Sequence, residues 1–331
     1  MTGVLVDARW IAPHGIGRFA QEVIQRLPEA ERISDGPPLL SPVEPLWLSI
    51  EVSRRRPGVY FTPGFNPPLW SNVPVVFTIH DLIHLRFGEE SSFLKHLYYR
   101  FVVQPAASSS ARLLTVSEYS KQEILNWIRL PSDRVDVVYN GVSEAFTEEG
   151  SIYAPGYPYL LCVSNTKPHK NLKRTLKGFS WSGISSEVKL LLRISPSPQI
   201  IEYLYKLGIQ DRVVFVEQVT DEELAALYRG AVALLFPSLY EGFGLPALEA
   251  MACGTPVLAS NVTALPEVVG EAGLLVDPFD VEAIAHGICR LVGDSALREE
   301  LKRKGLERAK QFTWERTAEL TWTVLKEAME S

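Results

Sequence analysis

Short apolar runs bounded by turn residues alternate with segments of helical periodicity along the whole chain. In the helix predicted at residues 18–27, for example, apolar side chains such as Phe19 and Val23 fall on one face. This alternation is typical of βαβ units, in which helices join parallel strands. The pattern therefore predicts an α/β protein with doubly wound sheets and right-handed crossovers.

The predicted strands fall into two series. The first series is 3–6, 59–61, 75–79, 113–116 and 135–138. The second is 159–163, 188–192, 213–216, 233–236, 256–259 and 274–276, with helices at 171–179, 198–207, 221–229 and 245–252. Thr220 and Glu223 form a predicted capping box at the third of these helices. Residues 281–328 are expected to be almost wholly helical.

The length of the chain and its linker composition predict two domains. A chain of 331 residues is longer than one core usually grows, which also implies a cleft between domains. A loop rich in Gly, Pro and Tyr at residues 150–158 is the predicted linker. We expect domains at 1–152 and 153–310, with an amphipathic helix at 311–331 that returns to the first domain.

Composition narrows the possible functions. The formal net charge is -6, and neither half has the basic excess of a nucleic-acid domain. No apolar run approaches the roughly 20 residues that span a bilayer, and the first residues lack a signal-peptide pattern, so we expect a cytoplasmic protein. Cys162, Cys253 and Cys289 form no CxxC pair and are expected to be buried free thiols.

The most informative stretch is the glycine-rich segment at residues 236–249, where a strand ends and a helix opens near Leu245. Backbone N–H groups at such a helix start suit a phosphate. Glu241 and Glu249 lie on either side of that start, so one carboxylate could hold a sugar and the other a ribose. The alternative is that the glycines only make a tight turn and Glu249 is a solvated helix residue.

This stretch resembles the retaining glycosyltransferases of the GT-B fold, family 4 in particular, through Glu-Gly-Phe-Gly-Leu-Pro-Ala-Leu-Glu from Glu241 to Glu249. The resemblance implies two Rossmann-like domains facing each other across a cleft, an acceptor domain first and a nucleotide-sugar donor domain second. It also implies that Glu241 contacts the donor sugar and Glu249 the ribose. The residues expected to line the donor site between them are Gly242, Phe243, Gly244 and Leu245.

The resemblance extends to Val-Ser-Asn-Thr-Lys-Pro-His-Lys-Asn, which is similar to the family's phosphate-binding loop. It implies that Lys170 binds the donor diphosphate and takes part in catalysis. Many members carry an Arg five or six positions earlier, where this chain has Ser164 or Asn165. We expect Asn165 to line the donor site, and Lys167 or Arg193 to supply the missing positive charge.

In the first half, the resemblance singles out residues after two predicted strands. His80 ends the strand Val-Phe-Thr-Ile, and in the family such a His reaches the sugar and its leaving phosphate oxygens. Gly15 and Gly17 are similar to a glycine loop that lets the backbone approach the donor. Arg18 and Asp81 are expected on the acceptor side. His80 as a structural residue and Arg18 as a solvated one remain the alternatives.

No DxD pair and no metal-ligand spacing occurs, so neither a metal nor another cofactor is expected, and the nucleotide sugar is a substrate. The loop around Lys170 and residues 61–66 look most like mannosyltransferases of bacterial surface polysaccharides, which predicts GDP-mannose, with UDP-sugars as the alternative. The expected acceptor is a glycan or a lipid-linked sugar. The aromatic segment 93–103, with Lys95, His96 and Arg100, is a candidate for contact with the inner membrane face.

Three other functions are alternatives to glycosyl transfer. A glycoside hydrolase needs its carboxyl groups roughly 5 to 9.5 Å apart. Eight helical positions would separate Glu241 and Glu249 by about 12 Å, which disfavours that chemistry. A nucleotide-sugar epimerase would turn over donor without any acceptor. A non-catalytic sugar-nucleotide binding protein would lose affinity, but no rate, on Glu241→Ala.

Overall fold

The computed structural model describes residues 3–28, 30–87 and 93–330 of the chain. The chain forms two compact units, Met1–Gly141 with Thr313–Ser331, and Val142–Phe312. The segment predicted as a linker, 150–158, lies within the second unit. There the backbone N–H of Tyr153 donates to the carbonyl of Ala226 (3.0 Å), which ties the segment to a helix of that unit.

A six-stranded parallel sheet forms the centre of the first unit. Its strands are β1 (Val4–Asp7), β2 (Ala30–Ile33), β3 (Val59–Thr62), β4 (Val75–Thr78), β5 (Arg112–Thr115) and β6 (Val135–Val137). Their order is β2-β1-β3-β4-β5-β6. The five predicted strands are confirmed, but β2 was not predicted. Its Ala-Glu-Arg-Ile sequence suits the edge of the sheet, where β2 pairs with β1 and where Glu31 and Arg32 are exposed.

Six α-helices lie between or beside the strands in the described part of residues 1–141. They are α1 (Gly15–Arg26), α2 (Glu44–Arg55), α3 (Ile83–Arg86), α4 (Phe93–Tyr98), α5 (Gln104–Ser109) and α6 (Glu118–Ile128), with a π-helical turn between α4 and α5. The start of α1 lies three residues before the predicted residue 18, because the His14 side chain accepts from Gly17 N (3.0 Å) and caps the helix. Gly15 and Gly17 thus form a first helical turn and not a loop.

The second unit contains a second six-stranded parallel sheet. Its strands are β7 (Tyr159–Val163), β8 (Lys189–Arg193), β9 (Val213–Val216), β10 (Ala233–Phe236), β11 (Val257–Ser260) and β12 (Leu274–Val276). The order is β12-β11-β10-β7-β8-β9, and all six predicted strands are confirmed. The chain therefore builds outward from β7 in one direction and then returns to add β10 on its other side. The predicted α/β architecture with two parallel sheets is confirmed.

Helices between these strands follow the predicted pattern. They are α7 (Leu172–Trp181), α8 (Pro198–Leu207), α9 (Asp221–Gly230), α10 (Leu245–Ala252), α11 (Leu265–Val269), α12 (Val281–Gly293) and α13 (Ser295–Ala309). The capping box is confirmed: Thr220 Oγ1 accepts from Glu223 N at 3.2 Å, and Thr220 N donates to the Glu223 carboxylate at 2.8 Å. The short helix α11 was not predicted.

The tail predicted as almost wholly helical consists of α12, α13 and a last helix, α14 (Trp314–Glu330). Asp294 separates the first two and caps α13 by accepting from Leu297 N at 2.9 Å. The helix α14 belongs to the first unit, where buried Trp314 lies 6.4 Å from the Phe19 ring of α1. Within the described ranges, no helix combines the length and the apolar character that crossing a membrane requires.

Candidate active site

The strand order of the second sheet brings two loops together. The neighbours β7 and β10 are the point at which the direction of strand addition reverses, and open α/β sheets bind ligands beyond the carboxyl ends of such strands. Residues 164–171 follow β7 and residues 237–244 follow β10. The predicted phosphate loop and the predicted glycine-rich segment therefore leave the sheet at the same edge.

Lys170 and Glu241 form an ion pair at this edge. Lys170 Nζ lies 2.8 Å from Glu241 Oε1, and the two side chains are 17% and 12% exposed. The ammonium group also lies 5.3 Å from the centre of the Phe236 ring. Two residues 71 positions apart thus place a donor for phosphate oxygens beside an acceptor for sugar hydroxyls.

Asn171, which sequence reasoning overlooked, fastens these two loops to each other. Its Nδ2 donates to the carbonyls of Pro237 (2.9 Å) and Pro278 (2.7 Å). Leu239 N donates to the carbonyl of His169 (2.7 Å) across the same two loops. Asn171 has a left-handed backbone (φ 57°), which asparagine tolerates better than most residues. The signal in the sequence was an Asn directly after Lys170.

The start of α10 is shaped for an anion. Gly244 precedes the helix with φ 111°, no side chain caps it, and Pro246 lies in its first turn. Pro246 has no N–H and Ala247 N donates to the Gly244 carbonyl at 3.0 Å, so the backbone N–H of Leu245 is the donor of this turn that a ligand could use. Gly242 and Phe243 are buried, and the Phe243 ring packs 5.6 Å from Phe312. The predicted lining from Gly242 to half-buried Leu245 therefore surrounds a helix amino terminus.

Glu249 lies within α10 and is only 7% exposed. The alternative that it is a solvated helix residue is wrong. Its Oε2 accepts a hydrogen bond from the Tyr228 hydroxyl at 3.0 Å. A buried carboxylate requires such donors, because its charge has lost water.

Asn165 and Arg193 lie at the carboxyl edge of β7 and β8. Asn165 Oδ1 accepts from Lys167 N (3.0 Å), so its side chain closes a local turn. Arg193, the last residue of β8, pairs in register with Val163. Its Nε is buried and has no hydrogen-bond partner among the residues the structure describes. Arg193 is thus a half-buried cation at the edge where the expected arginine is missing.

In the first unit, His80 is held as a neutral ring. Its Nε2 lies 2.9 Å from the Pro63 carbonyl, so this nitrogen donates, and Phe19 packs edge-on at 4.9 Å. Loss of solvent lowers the pKa of His80 to about 4; the bond to Pro63 opposes that shift, and the charge of His14 adds to it. The nitrogen that remains, Nδ1, is an acceptor. It suits a sugar hydroxyl but not the leaving phosphate oxygens expected from the sequence.

The other predicted residues of the first unit differ in how much room they leave. A Cβ at Gly17 would lie 2.1 Å from the Ala12 carbonyl oxygen, so Gly17 serves packing, whereas nothing lies within 4 Å of a Cβ at Gly15. Arg18 is half-buried in the first turn of α1. Asp81 accepts from Ile83 N at 3.0 Å at the start of α3. Of the two glycines, Gly15 therefore leaves open space beside its backbone and Gly17 does not.

A buried polar cluster at the ends of β1 and β3 was not predicted. Arg9 Nη2 lies 2.6 Å from Asp7 and 2.8 Å from Glu44, and Asn66 Nδ2 donates to both carboxylates at 2.9 and 2.8 Å. Burial raises the pKa of Glu44, while the bonds from Asn66 and Arg9 oppose that rise. The cluster anchors the loop that carries Pro63, the partner of the candidate histidine.

Known proteins resemble the chain over both units. The family model Glycosyltransferase Family 4 matches residues 5–146, and Glycosyl transferases group 1 matches residues 147–308. The chain is 32% identical over 271 residues to O-antigen chain mannosyltransferase B of Escherichia coli, which covers 78% of this chain and 71% of that protein.

Two further comparisons bear on length and fold. The chain is 29% identical over 279 residues to the serotype-specific mannosyltransferase WbdA of Escherichia coli; the match covers 78% of this chain but only 33% of that longer protein. Among solved structures, sucrose-phosphate synthase from Thermosynechococcus elongatus has a TM-score of 0.78 and 20% identity, with 99% of each chain covered. That likeness shows the fold.

Proposed function

The chain belongs to glycosyltransferase family 4 and is a glycosyltransferase, and from that premise we propose that it transfers mannose from GDP-mannose to a hydroxyl of a glycan or lipid-linked acceptor. The product would be part of a surface polysaccharide or related glycoconjugate. Support for mannose comes from the two Escherichia coli relatives, both named as mannosyltransferases.

The observation that carries the proposal is the ion pair of Lys170 and Glu241 beside the uncapped start of α10. Lys170 would bind the diphosphate together with the backbone N–H of Leu245 at the helix start. Glu241 would accept hydrogen bonds from hydroxyls of the sugar. Glu249, deeper in the same helix, would accept those of the ribose.

In the proposed reaction, the bond between C1 of the sugar and the phosphate oxygen breaks through an oxocarbenium-like state. Lys170, Arg193 and the start of α10 would stabilise the negative charge that develops on the diphosphate. They would do so without reorganisation, because such groups are already oriented in the folded protein. The acceptor hydroxyl attacks from the face that the diphosphate leaves and gives its proton to the departing phosphate oxygen. The anomeric configuration is thereby retained, and no divalent cation is required.

The test is a panel of nucleotide sugars, GDP-mannose and several UDP-hexoses, in which release of nucleoside diphosphate is measured with and without acceptor glycans. We expect release from GDP-mannose, dependence on acceptor, no loss in EDTA, and an α-linked product by NMR. Faster turnover of a UDP-sugar would overturn the donor assignment. Isomerised sugar formed without acceptor would identify an epimerase instead.

A pair of lysine variants ties this activity to the candidate site. Lys170→Ala should lower kcat at least about tenfold, because one charge-assisted contact with the leaving group is lost. Lys173→Ala, which removes an exposed lysine from α7, is the matched control and should retain activity. Equal rates in the two variants would remove Lys170 from the mechanism.

We also propose that the helical segment after residue 93 contacts an anionic membrane surface. Leu94 and Phe101 lie seven positions apart and are 74% and 63% exposed, and Lys95 and the guanidinium of Arg100, 5.9 Å from the Phe101 ring, flank them. Apolar side chains beside cations are typical of interfacial helices. Co-sedimentation with phosphatidylglycerol vesicles should fall for L94S/F101S but not for Trp181→Ser, an exposed tryptophan of the second unit.

A further inference from the structure

Tyr228 donates a hydrogen bond to the buried carboxylate of Glu249. The tyrosine belongs to α9 and the glutamate to α10, and these helices pack against each other. The hydroxyl lies 3.0 Å from Oε2. The contact therefore links the carboxylate to a neighbouring element that contains none of the predicted site residues.

Tyr228 is itself fixed in place. It is fully buried, and its ring packs against Phe146 at 5.9 Å between centroids. Its carbonyl accepts from Thr255 Oγ1 at 2.6 Å. With the ring and the backbone both held, the hydroxyl oxygen is fixed within hydrogen-bonding distance of Glu249.

The hydroxyl remains a donor over the whole physiological range. Burial raises the pKa of Tyr228 well above its ordinary value, the negative charge of Glu249 raises it further, and the positive charge of Arg193 opposes the rise. A carboxylate offers about four acceptor positions, so one bond from Tyr228 orients the group and leaves it able to accept others. The 2′ and 3′ hydroxyls of a ribose would supply two such bonds.

We propose that Tyr228 is a positioning residue that holds the carboxylate of Glu249 toward the ribose and thereby sets the preference for ribonucleotides over deoxyribonucleotides. This inference rests on the proposed function, because it needs a nucleoside diphosphate in the second unit. A site built to bind hydroxyls rejects a ligand that lacks them, since its buried acceptors then remain unsatisfied. A carboxylate that is no longer held in place loses part of that discrimination.

The experiment compares calorimetric binding of GDP and UDP with binding of their 2′,3′-dideoxy counterparts. In the natural protein the ribonucleotide should bind more tightly. Tyr228→Phe keeps the buried ring and should weaken ribonucleotide binding about tenfold while dideoxynucleotide binding changes little. In turnover, the same variant should raise KM for the donor with kcat nearly unchanged, as expected for lost ground-state binding.

Tyr159→Phe is the matched control. Tyr159 is also buried, and its hydroxyl donates to the carbonyl of Leu227, the residue before Tyr228, at 2.7 Å. This variant should keep the ribose preference. If Tyr228→Phe also keeps it, or weakens both nucleotides alike, the positioning role is overturned. A natural protein that binds neither ribonucleotide overturns the proposed function itself, and this inference with it.

Discussion

At the residue scale, the candidate site is bounded by backbone conformations that side chains rarely adopt. Gly244 (φ 111°), Asn171 (φ 57°) and Thr263 (φ 60°) all have positive φ, and Thr263 Oγ1 accepts from Glu241 N at 3.2 Å. For a β-branched residue such as threonine this conformation is unfavourable. Strained residues are often found around functional sites, because strain fixes a loop in one arrangement. Here Thr263 bonds to the backbone of Glu241, and Asn171 directly follows Lys170, the ion-pair partner of Glu241.

The positive φ of Gly244 makes this position sensitive to substitution. An alanine there would have to adopt φ 111°, and its Cβ would lie 2.5 Å from Leu265 Cδ2, so Gly244→Ala should lower the free energy of unfolding by about 2 kcal/mol. Urea denaturation measures this. Gly293→Ala, at the end of α12 with nothing within 4 Å of the new Cβ, should be neutral or slightly stabilising. Equal effects of the two changes would contradict the strain at Gly244.

His80 gives a prediction about pH. Its folded pKa of about 4 lies below the ordinary value for histidine, so the unfolded chain takes up the proton first, and stability falls as the pH drops from about 6.5 toward 4. At pH 5 this loss is about 2 kcal/mol. Urea denaturation at pH 7.5 and pH 5 should therefore show a smaller acid loss in His80→Gln. His286→Gln, which replaces an exposed histidine, is the control. Identical acid losses in both variants would refute a neutral His80 in the folded protein.

At the scale of elements, the site depends on two loops that follow adjacent strands. The residues that make contact, Lys170 and Glu241, lie on the loops after β7 and β10, and Asn171 bonds to the loop after β10 and to that after β12. The loop after β7 contains one 3-10 turn, Pro168–Lys170, and the loop from 237 to 244 contains no helix or strand. The side-chain amide of Asn171 therefore holds three loops together by hydrogen bonds: its own loop after β7, the loop after β10 and the loop after β12.

Asn171→Asp should be costly for this reason. The change keeps the size of the side chain but removes both donations to carbonyls and places a negative charge beside them, so we expect a loss of roughly 2 to 4 kcal/mol in the free energy of unfolding. Asn165→Asp is the stability control, because that side chain only accepts a bond, which a carboxylate also does. Urea denaturation measures the free energy of unfolding of both variants. If Asn171→Asp is as stable as the natural protein, the three loops do not depend on this amide.

At the scale of the whole molecule, the chain passes between its two units twice, after Gly141 and after Phe312. The last segment completes the first unit. Its helix α14 packs on α1 and on strands β3 to β5. Arg26 Nε lies 2.8 Å from Glu315 Oε1, and Arg112 pairs with Glu327 near the other end of the helix. The first core thus requires residues that follow the whole second unit in the sequence.

Removal of residues 313–331 should therefore destabilise the first unit and spare the second. Buried apolar side chains such as Trp314 would be lost and their partners exposed to water. Hydrogen exchange followed by mass spectrometry should show faster exchange in β3 to β5, with β7 to β12 unchanged. The variant E315A/E327A removes only surface ion pairs, each worth about 1 kcal/mol or less, and should exchange like the natural protein. Faster exchange in the second sheet instead would contradict the division.

The sequence by itself determined the βαβ alternation and the signature from Glu241 to Glu249, because buried parallel strands are continuous apolar runs and a helix start has local signals. Only the tertiary structure decided which strands are neighbours, and hence that Lys170 bonds to Glu241, that Tyr228 holds Glu249, and that β2 pairs at an edge. The tertiary structure also brings Asp7 and Glu44 to Arg9, and it removes the solvent from His80 that would favour the protonated ring. The physical reason is that these contacts join residues far apart in the chain. They form because the folded chain buries those residues together, and a local sequence pattern does not specify which distant residues will meet.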